Sequence, residues 1–164
     1  MAPVLYLDID DTLLNWADGK PRPVPGTHAF MRWALDHFEV RWLTRWCPSG
    51  TMPEHLLVDL AKMVRIDPGE LASIQGWNWD YSGTKVDGIS WVEHLAMGRE
   101  FVWIENGDGL SNRDYQVLEQ NGLRHCHLDC NVTTDLRALD RTRRELERRF
   151  DLAPAGAEPR RDVA

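Results

Sequence analysis

The sequence predicts an α/β fold: a three-layer α/β/α Rossmann-like sandwich around a central, mostly parallel five-stranded sheet. Short apolar runs alternate with helix-period segments along the chain, and two of those runs end in clusters of acids. Alternation of this kind favours parallel strands joined by crossover helices on both faces of the sheet. In such sheets ligands bind beyond the carboxyl ends of the strands, so the acids mark a candidate site.

The elements follow in order. Val4-Leu5-Tyr6-Leu7 reads as a buried strand, and Ala29 to Phe38 as a helix with Phe30, Trp33, Ala34 and Phe38 on one face, entered through Pro25-Gly26-Thr27. Val40 to Leu43 is the second strand. Thr51-Met52-Pro53-Glu54 has the spacing of a capping box ahead of a helix that turns Leu56, Leu57, Leu60 and Val64 inward. Leu71 to Ile74 is the expected third strand, and Val86, Ile89, Val92 and Ala96 mark a helix stopped near Gly98. Phe101-Val102-Trp103-Ile104 is the fourth strand, followed by a short helix from Arg113 to Gln120 and a fifth strand from Leu123 to Leu128. Thr133 or Thr134 is expected to cap a last helix with Leu136, Leu139, Leu146 and Phe150 inward. Residues 1–153 are read as one domain, and 154–164, rich in Ala, Gly, Pro and charge, as a flexible tail.

Bulk properties narrow the function. A 164-residue chain has room for a single core. It has no apolar run of the roughly 18–20 residues a membrane span needs, and no basic region precedes an apolar one at the N-terminus. A cytoplasmic protein is therefore expected. The three cysteines (Cys47, Cys126 and Cys130) suggest free thiols rather than a disulfide framework. A formal charge of −7 argues against strong bulk binding of nucleic acid. Seven arginines between Arg124 and Arg149 read as a solvated helical face. His125-Cys126-His127 with Cys130 superficially suggests zinc, but His125 and His127 share a strand face that Cys126 does not, and no second ligand pair is in sight.

The chemistry concentrates in Asp8-Ile9-Asp10-Asp11-Thr12-Leu13. Three acids directly after a buried strand repel one another unless something positive compensates them. A divalent cation held by hard oxygen ligands is the usual remedy, and magnesium takes one or two carboxylates together with phosphate oxygens. Asp8 and Asp10, two apart in an extended segment, can point to one side, one as nucleophile and the other as proton carrier. An acidic turn that merely caps the next segment is the competing reading.

This run after an apolar strand resembles the first signature of the haloacid dehalogenase superfamily in its phosphatase form. Three later segments resemble the remaining signatures in order: Val40-Arg41-Trp42-Leu43-Thr44, Lys85 within Gly83-Thr84-Lys85-Val86, and Phe101-Val102-Trp103-Ile104-Glu105-Asn106-Gly107-Asp108. The likeness spans roughly Val4 to Leu136. It implies a Mg2+-dependent phosphomonoester hydrolase in which Asp8 attacks phosphorus and becomes an aspartyl-phosphate. Asp10 would protonate the leaving oxygen and then take a proton from water. Thr44 would donate to a phosphoryl oxygen, and Lys85 would neutralise developing charge. Taken alone, Thr44 reads as a strand-end cap and Lys85 as a surface lysine; their order after Asp8 favours the catalytic roles.

The fourth segment departs from the superfamily pattern, in which two adjacent acids are common. Here Glu105-Asn106 is followed by Asp108, and the metal ligands are expected to be Asp8, the main-chain carbonyl of Asp10 and one or two of Glu105, Asn106 and Asp108. The superfamily often inserts a cap domain, but only about a dozen turn-rich residues, Leu14 to Pro25, precede the first helix, which suits a small flap near 14–25. The chain thus resembles the capless members, whose open sites often accept large substrates such as phosphoproteins or nucleic-acid ends; small phosphoesters and nucleotides stay among the candidates for this chain. Candidate substrate contacts are Thr12, Arg45, Trp16 and Trp46, with Trp77 and Trp79 as a further wall. Trp16 and Trp46 could stack on a base or serve flap packing, and Arg45 could hold a second anionic group. A binding or regulatory module with weak turnover remains the alternative. A receiver domain fits poorly, because no aspartate ends a middle strand.

Overall fold

A computed structural model describes residues 1–47, 49–76 and 84–152. Trp77, Trp79 and the tail expected at 154–164 lie outside the described residues. The elements run β1 (Val4–Leu7), β2 (Leu14–Asn15), β3 (Arg22–Pro23), α1 (Thr27–His37), β4 (Glu39–Trp42), α2 (Glu54–Val64), α3 (Pro68–Ala72), β5 (Gln75–Gly76), β6 (Phe101–Glu105), α4 (Asn112–Gln120), β7 (His127–Asp129) and α5 (Ala138–Arg149). The central sheet is five-stranded, ordered β5-β4-β1-β6-β7, and every pairing in it is parallel. β2 and β3 form a separate antiparallel hairpin within the stretch near 14–25 read from the sequence as a flap.

Side-chain alternation sorts the core into two layers. Leu5 and Leu7 of β1 and Val102 and Ile104 of β6 face α1, α2, α3 and α5 through Phe30, Met31, Ala34, Leu60, Leu71, Leu139 and Leu146. Val4, Tyr6, Phe101 and Trp103 face the other way, onto Val86, Ile89, Leu118 and Cys126. The period of two along each strand puts one residue set under each helical layer. β1 is buried at all four positions, as a central parallel strand must be.

Several expected elements differ in detail, each for a local reason. Leu71 belongs to α3 rather than a strand, because Asp67 caps that helix, its Oδ1 accepting from Gly69 N at 2.8 Å, and Pro68 sits in the first turn. The third sheet strand comes later, at Gln75–Gly76. The capping box at Thr51 does not form; α2 starts after Pro53, with no side-chain cap. The helix expected through Val86 to Ala96 splits into a 3₁₀ turn at Lys85–Gly88 and one π turn at Val92–Ala96, with extended backbone at Ile89 between them. Arg124–Cys126 is a 3₁₀ turn, so only His127–Asp129 forms the fifth strand and His125 shares no strand face with His127. Neither Thr133 nor Thr134 caps α5. Asn131 Oδ1 accepts from the N–H of both in a turn, the helix begins at Ala138, and Leu136 is left exposed. On α5, Arg141, Arg144 and Arg148 pair with Asp135, Asp140 and Glu145 on a solvent-facing side, whereas Arg143 pairs with Glu147 in a part-buried position.

His127 shows how burial shapes stability. Its ring stands edge-on to Trp103 and Tyr115, and its Nδ1 lies 3.2 Å from Arg124 Nη1. The guanidinium can only donate, so Nδ1 accepts and the neutral ring carries its proton on Nε2. Burial, reinforced by the Arg124 charge, pushes the imidazole down to about 4. An unfolded histidine titrates near 6.5, so between these values the unfolded chain binds more protons and stability falls as pH falls. His127→Phe is expected to remove this histidine's share of the loss between pH 7 and 4.5. That share is on the order of 2 kcal/mol, read from urea midpoints of both proteins at the two pH values.

Candidate active site

The sheet order reverses at β1: the chain moves outward through β4 and β5, then crosses back to β6 on the other side of β1. Crevices at such reversals, beyond the carboxyl ends of the strands, are where open α/β sheets bind ligands. A cleft of about 220 Å3 opens there, lined by Asp8, Asp10, Asp11, Arg45, Lys85, Glu105, Asn106, Asp108 and Gly109. Pockets that hold drug-sized ligands measure roughly 300–1,000 Å3, so this cleft has room only for a smaller group.

The loop after β1 is wound tightly enough to present its acids together. Asp8 N donates to Ile104 O of β6 at 3.1 Å, and Ile9 O accepts from the N–H of Leu13 (2.9 Å) and Leu14 (3.0 Å). Ile9, Leu13 and Leu14 are fully buried, which anchors the loop and turns Asp10 and Asp11 to the cleft. Asp11 takes a left-handed backbone (φ 56°), tolerated best by Gly, Asn and Asp. Its carboxyl is raised above the ordinary value by burial and by the Asp10 and Asp8 charges.

Lys85 joins the two central strands. Its Nζ donates to Asp8 Oδ1 at 2.7 Å and to Glu105 Oε2, and all three side chains are almost wholly buried. Burial alone would lower the ammonium, but the Asp8 and Glu105 carboxylates outweigh it and hold its pKa above the usual lysine value. Burial and the neighbouring Asp8 charge drive the Glu105 carboxyl well above the ordinary range, with Lys85 offsetting part of the rise. The lysine is delivered by the 3₁₀ turn, which Thr84 and Asp87 close through Thr84 N to Asp87 Oδ2 (2.9 Å). Asp114, buried in α4, fastens the turn from outside: Oδ1 accepts from Val86 N (2.8 Å), while Oδ2 accepts from Ser111 N (2.7 Å) in the helix's own capping box.

The other expected residues divide into two groups. Asn106 Nδ2 donates to the Asp10 main-chain oxygen at 3.2 Å, and Trp16 Nε1 and Trp46 Nε1 both donate to Asp10 Oδ1, at 2.7 and 2.9 Å. Arg45 and Asp108 line the cleft; Asp108 Oδ2 also accepts from Asn131 Nδ2 at 3.3 Å. Thr44 and Thr12, by contrast, are fully buried and not among the cleft-lining residues. Thr44 Oγ1 accepts from Trp46 N at 3.4 Å, and Thr12 Oγ1 has no hydrogen-bond partner.

Among the described residues, no group of three or more His, Cys, Asp or Glu side chains is gathered as a metal cluster. A cation here would need a mixed oxygen set, and two buried oxygens are available for one. Glu105 Oε1 and Asn106 Oδ1 have no hydrogen-bond partner, an arrangement that costs about 1–3 kcal/mol per atom. Together with the Asp8 carboxylate and the Asp10 carbonyl they fit the hard-oxygen preference of magnesium. Gly109 is needed beside them, since a Cβ at that position would collide with Glu105 Oε1 and crowd Asn106 Oδ1. Gly109 and Asp114 are contributors the sequence reading missed, and Asp11, read as part of the acidic run, was given no role of its own there. The Gly-Asp-Gly run after β6 and the Ser111-x-x-Asp114 box were the available signals. Comparison of the chain with protein-family models, curated protein sequences and solved structures finds no match.

Proposed function

We propose that this chain is a Mg2+-dependent phosphomonoester hydrolase of the haloacid dehalogenase type, working through an aspartyl-phosphate on Asp8. One observation carries the reading. An ammonium group is held between Asp8 and Glu105 at the mouth of the sheet reversal, 2.7 Å from the Asp8 oxygen. A buried lysine there compensates a carboxylate that must approach an anionic phosphoryl group.

Asp8 attacks phosphorus, and the bond from phosphorus to the leaving oxygen breaks as Asp10 delivers a proton to that oxygen. Asp10, now a carboxylate, takes a proton from the water that attacks the acyl-phosphate, and phosphate leaves with Asp8 regenerated. Lys85 spreads the charge shared between Asp8 and the transferred group. The bound cation would offset negative charge on the phosphoryl oxygens, held by Asp8, the Asp10 carbonyl and the Asn106 amide oxygen, with Glu105 and Asp108 beside them. Arg45 at the rim suits an anionic portion of the substrate. Small phosphoesters, nucleic-acid ends and phosphoproteins all suit a cleft with room only for the reacting group.

A second reading, a binding or regulatory module with weak turnover, is favoured by Asn106 where a second acid is common and by Thr44 lying outside the cleft. Purified protein with magnesium and p-nitrophenyl phosphate separates the two. The hydrolase reading expects steady phosphate release that a chelator stops and magnesium restores. Absence of turnover with every divalent metal tried would favour the module.

A further inference from the structure

We propose that the indoles of Trp16 and Trp46 form a two-donor clamp that positions the Asp10 carboxylate for proton transfer, with the flap supplying one jaw. The inference rests on the hydrolase reading, in which Asp10 carries the proton. Both indole N–H groups donate to the same oxygen, Asp10 Oδ1, at 2.7 and 2.9 Å. They come from different places: Trp16 follows β2 in the flap, whereas Trp46 follows Thr44 in the loop after β4.

These two tryptophans are used differently from those of the core. Trp33, Trp42 and Trp103 are buried with indole N–H groups that have no partner, so their contribution is packed volume alone. Trp16 is 43% exposed, unlike those core residues, and its N–H is committed to Asp10. A carboxylate turns easily about its Cβ–Cγ bond, and donors from two separate elements fix its plane. No described hydrogen bond occupies Oδ2, which leaves that oxygen for the leaving group and then for water. Misplacement of about 1 Å at such a group can cost on the order of 10²-fold in rate. Displacing the flap withdraws one donor, so the acid is fully aligned only with the flap in place.

Trp16 and Trp46 are thus positioning residues, and the test uses leaving groups that differ in their need for a proton. Wild type and the Trp16→Phe/Trp46→Phe double variant are compared on p-nitrophenyl phosphate, whose leaving group departs unaided, and on phenyl phosphate, whose leaving group needs protonation. The clamp predicts that kcat/KM for phenyl phosphate falls at least about tenfold further than for p-nitrophenyl phosphate. Equal losses on both, or no loss on either, would overturn it. An independent measurement needs no turnover: in Asp10→Ala, two of the eight indole N–H resonances should move upfield as their charged acceptor disappears. If none moves, the clamp is absent. Should the wild type hydrolyse neither probe, the hydrolase reading fails by itself, while the indole resonances still decide the clamp.

Discussion

Asp8→Asn is expected to lower phosphate release by on the order of 10⁴-fold or more, with the fold intact. Losses of that size follow removal of a covalent nucleophile, because the route through two easier steps closes altogether. The amide matches the carboxylate in shape and retains an oxygen facing Lys85 Nζ, now 2.7 Å from Asp8 Oδ1. Circular dichroism should therefore be unchanged while steady-state release from p-nitrophenyl phosphate disappears. A variant that kept a tenth of the activity would remove Asp8 from the chemistry.

Lys85→Met is expected to have the largest effect on stability and to abolish activity as well. The ammonium lies between two carboxylates that are 2% (Asp8) and 1% (Glu105) exposed. Removing one partner of a buried pair leaves charge that water cannot reach, at a cost of roughly 3–5 kcal/mol. Adding Glu105→Gln to Lys85→Met removes one stranded carboxylate, so the double variant should regain much of the lost stability without regaining turnover. Denaturant midpoints and phosphate release measured on the same preparations check both halves. Equal stability of the single and double variants would mean that Glu105 does not bear the burden.

The long-range layout was legible in the chain because its signals are redundant. Val4–Leu7 and Phe101–Glu105 are fully buried runs, each followed by acids, and both pair in parallel with the central strands. The flap could be read because Asp18-Gly19 and the prolines allow little but a turn. Short elements were harder. At Pro68–Ala72 a local cap outweighed the apolar run that suggested a strand, and at Ile89 the extended backbone broke a helix whose periodicity looked continuous. Leu136 carried the inward spacing of α5 but precedes its first turn, so the period was right and the boundary was not.

The site was half visible for a related reason. Acids at strand ends announce themselves in a sequence, so Asp8, Asp10, Glu105 and Asp108 were found, and Lys85 followed from its order after Asp8. Side-chain direction is not encoded by spacing. Both Trp16 and Trp46 were placed near the cleft, yet nothing in the chain indicated that their N–H groups converge on one oxygen. Asp114 reaches the Lys85 turn across 28 residues of sequence, a contact that only folding creates.

The central claim is that Asp8 becomes phosphorylated, and the most direct measurement is acid quenching during turnover followed by peptide mass spectrometry. The proposed chemistry predicts a phosphoryl adduct on the peptide containing Asp8, labile to hydroxylamine and missing from Asp8→Asn. A phosphoryl group on another residue, or turnover with no adduct at any quench time, would contradict it.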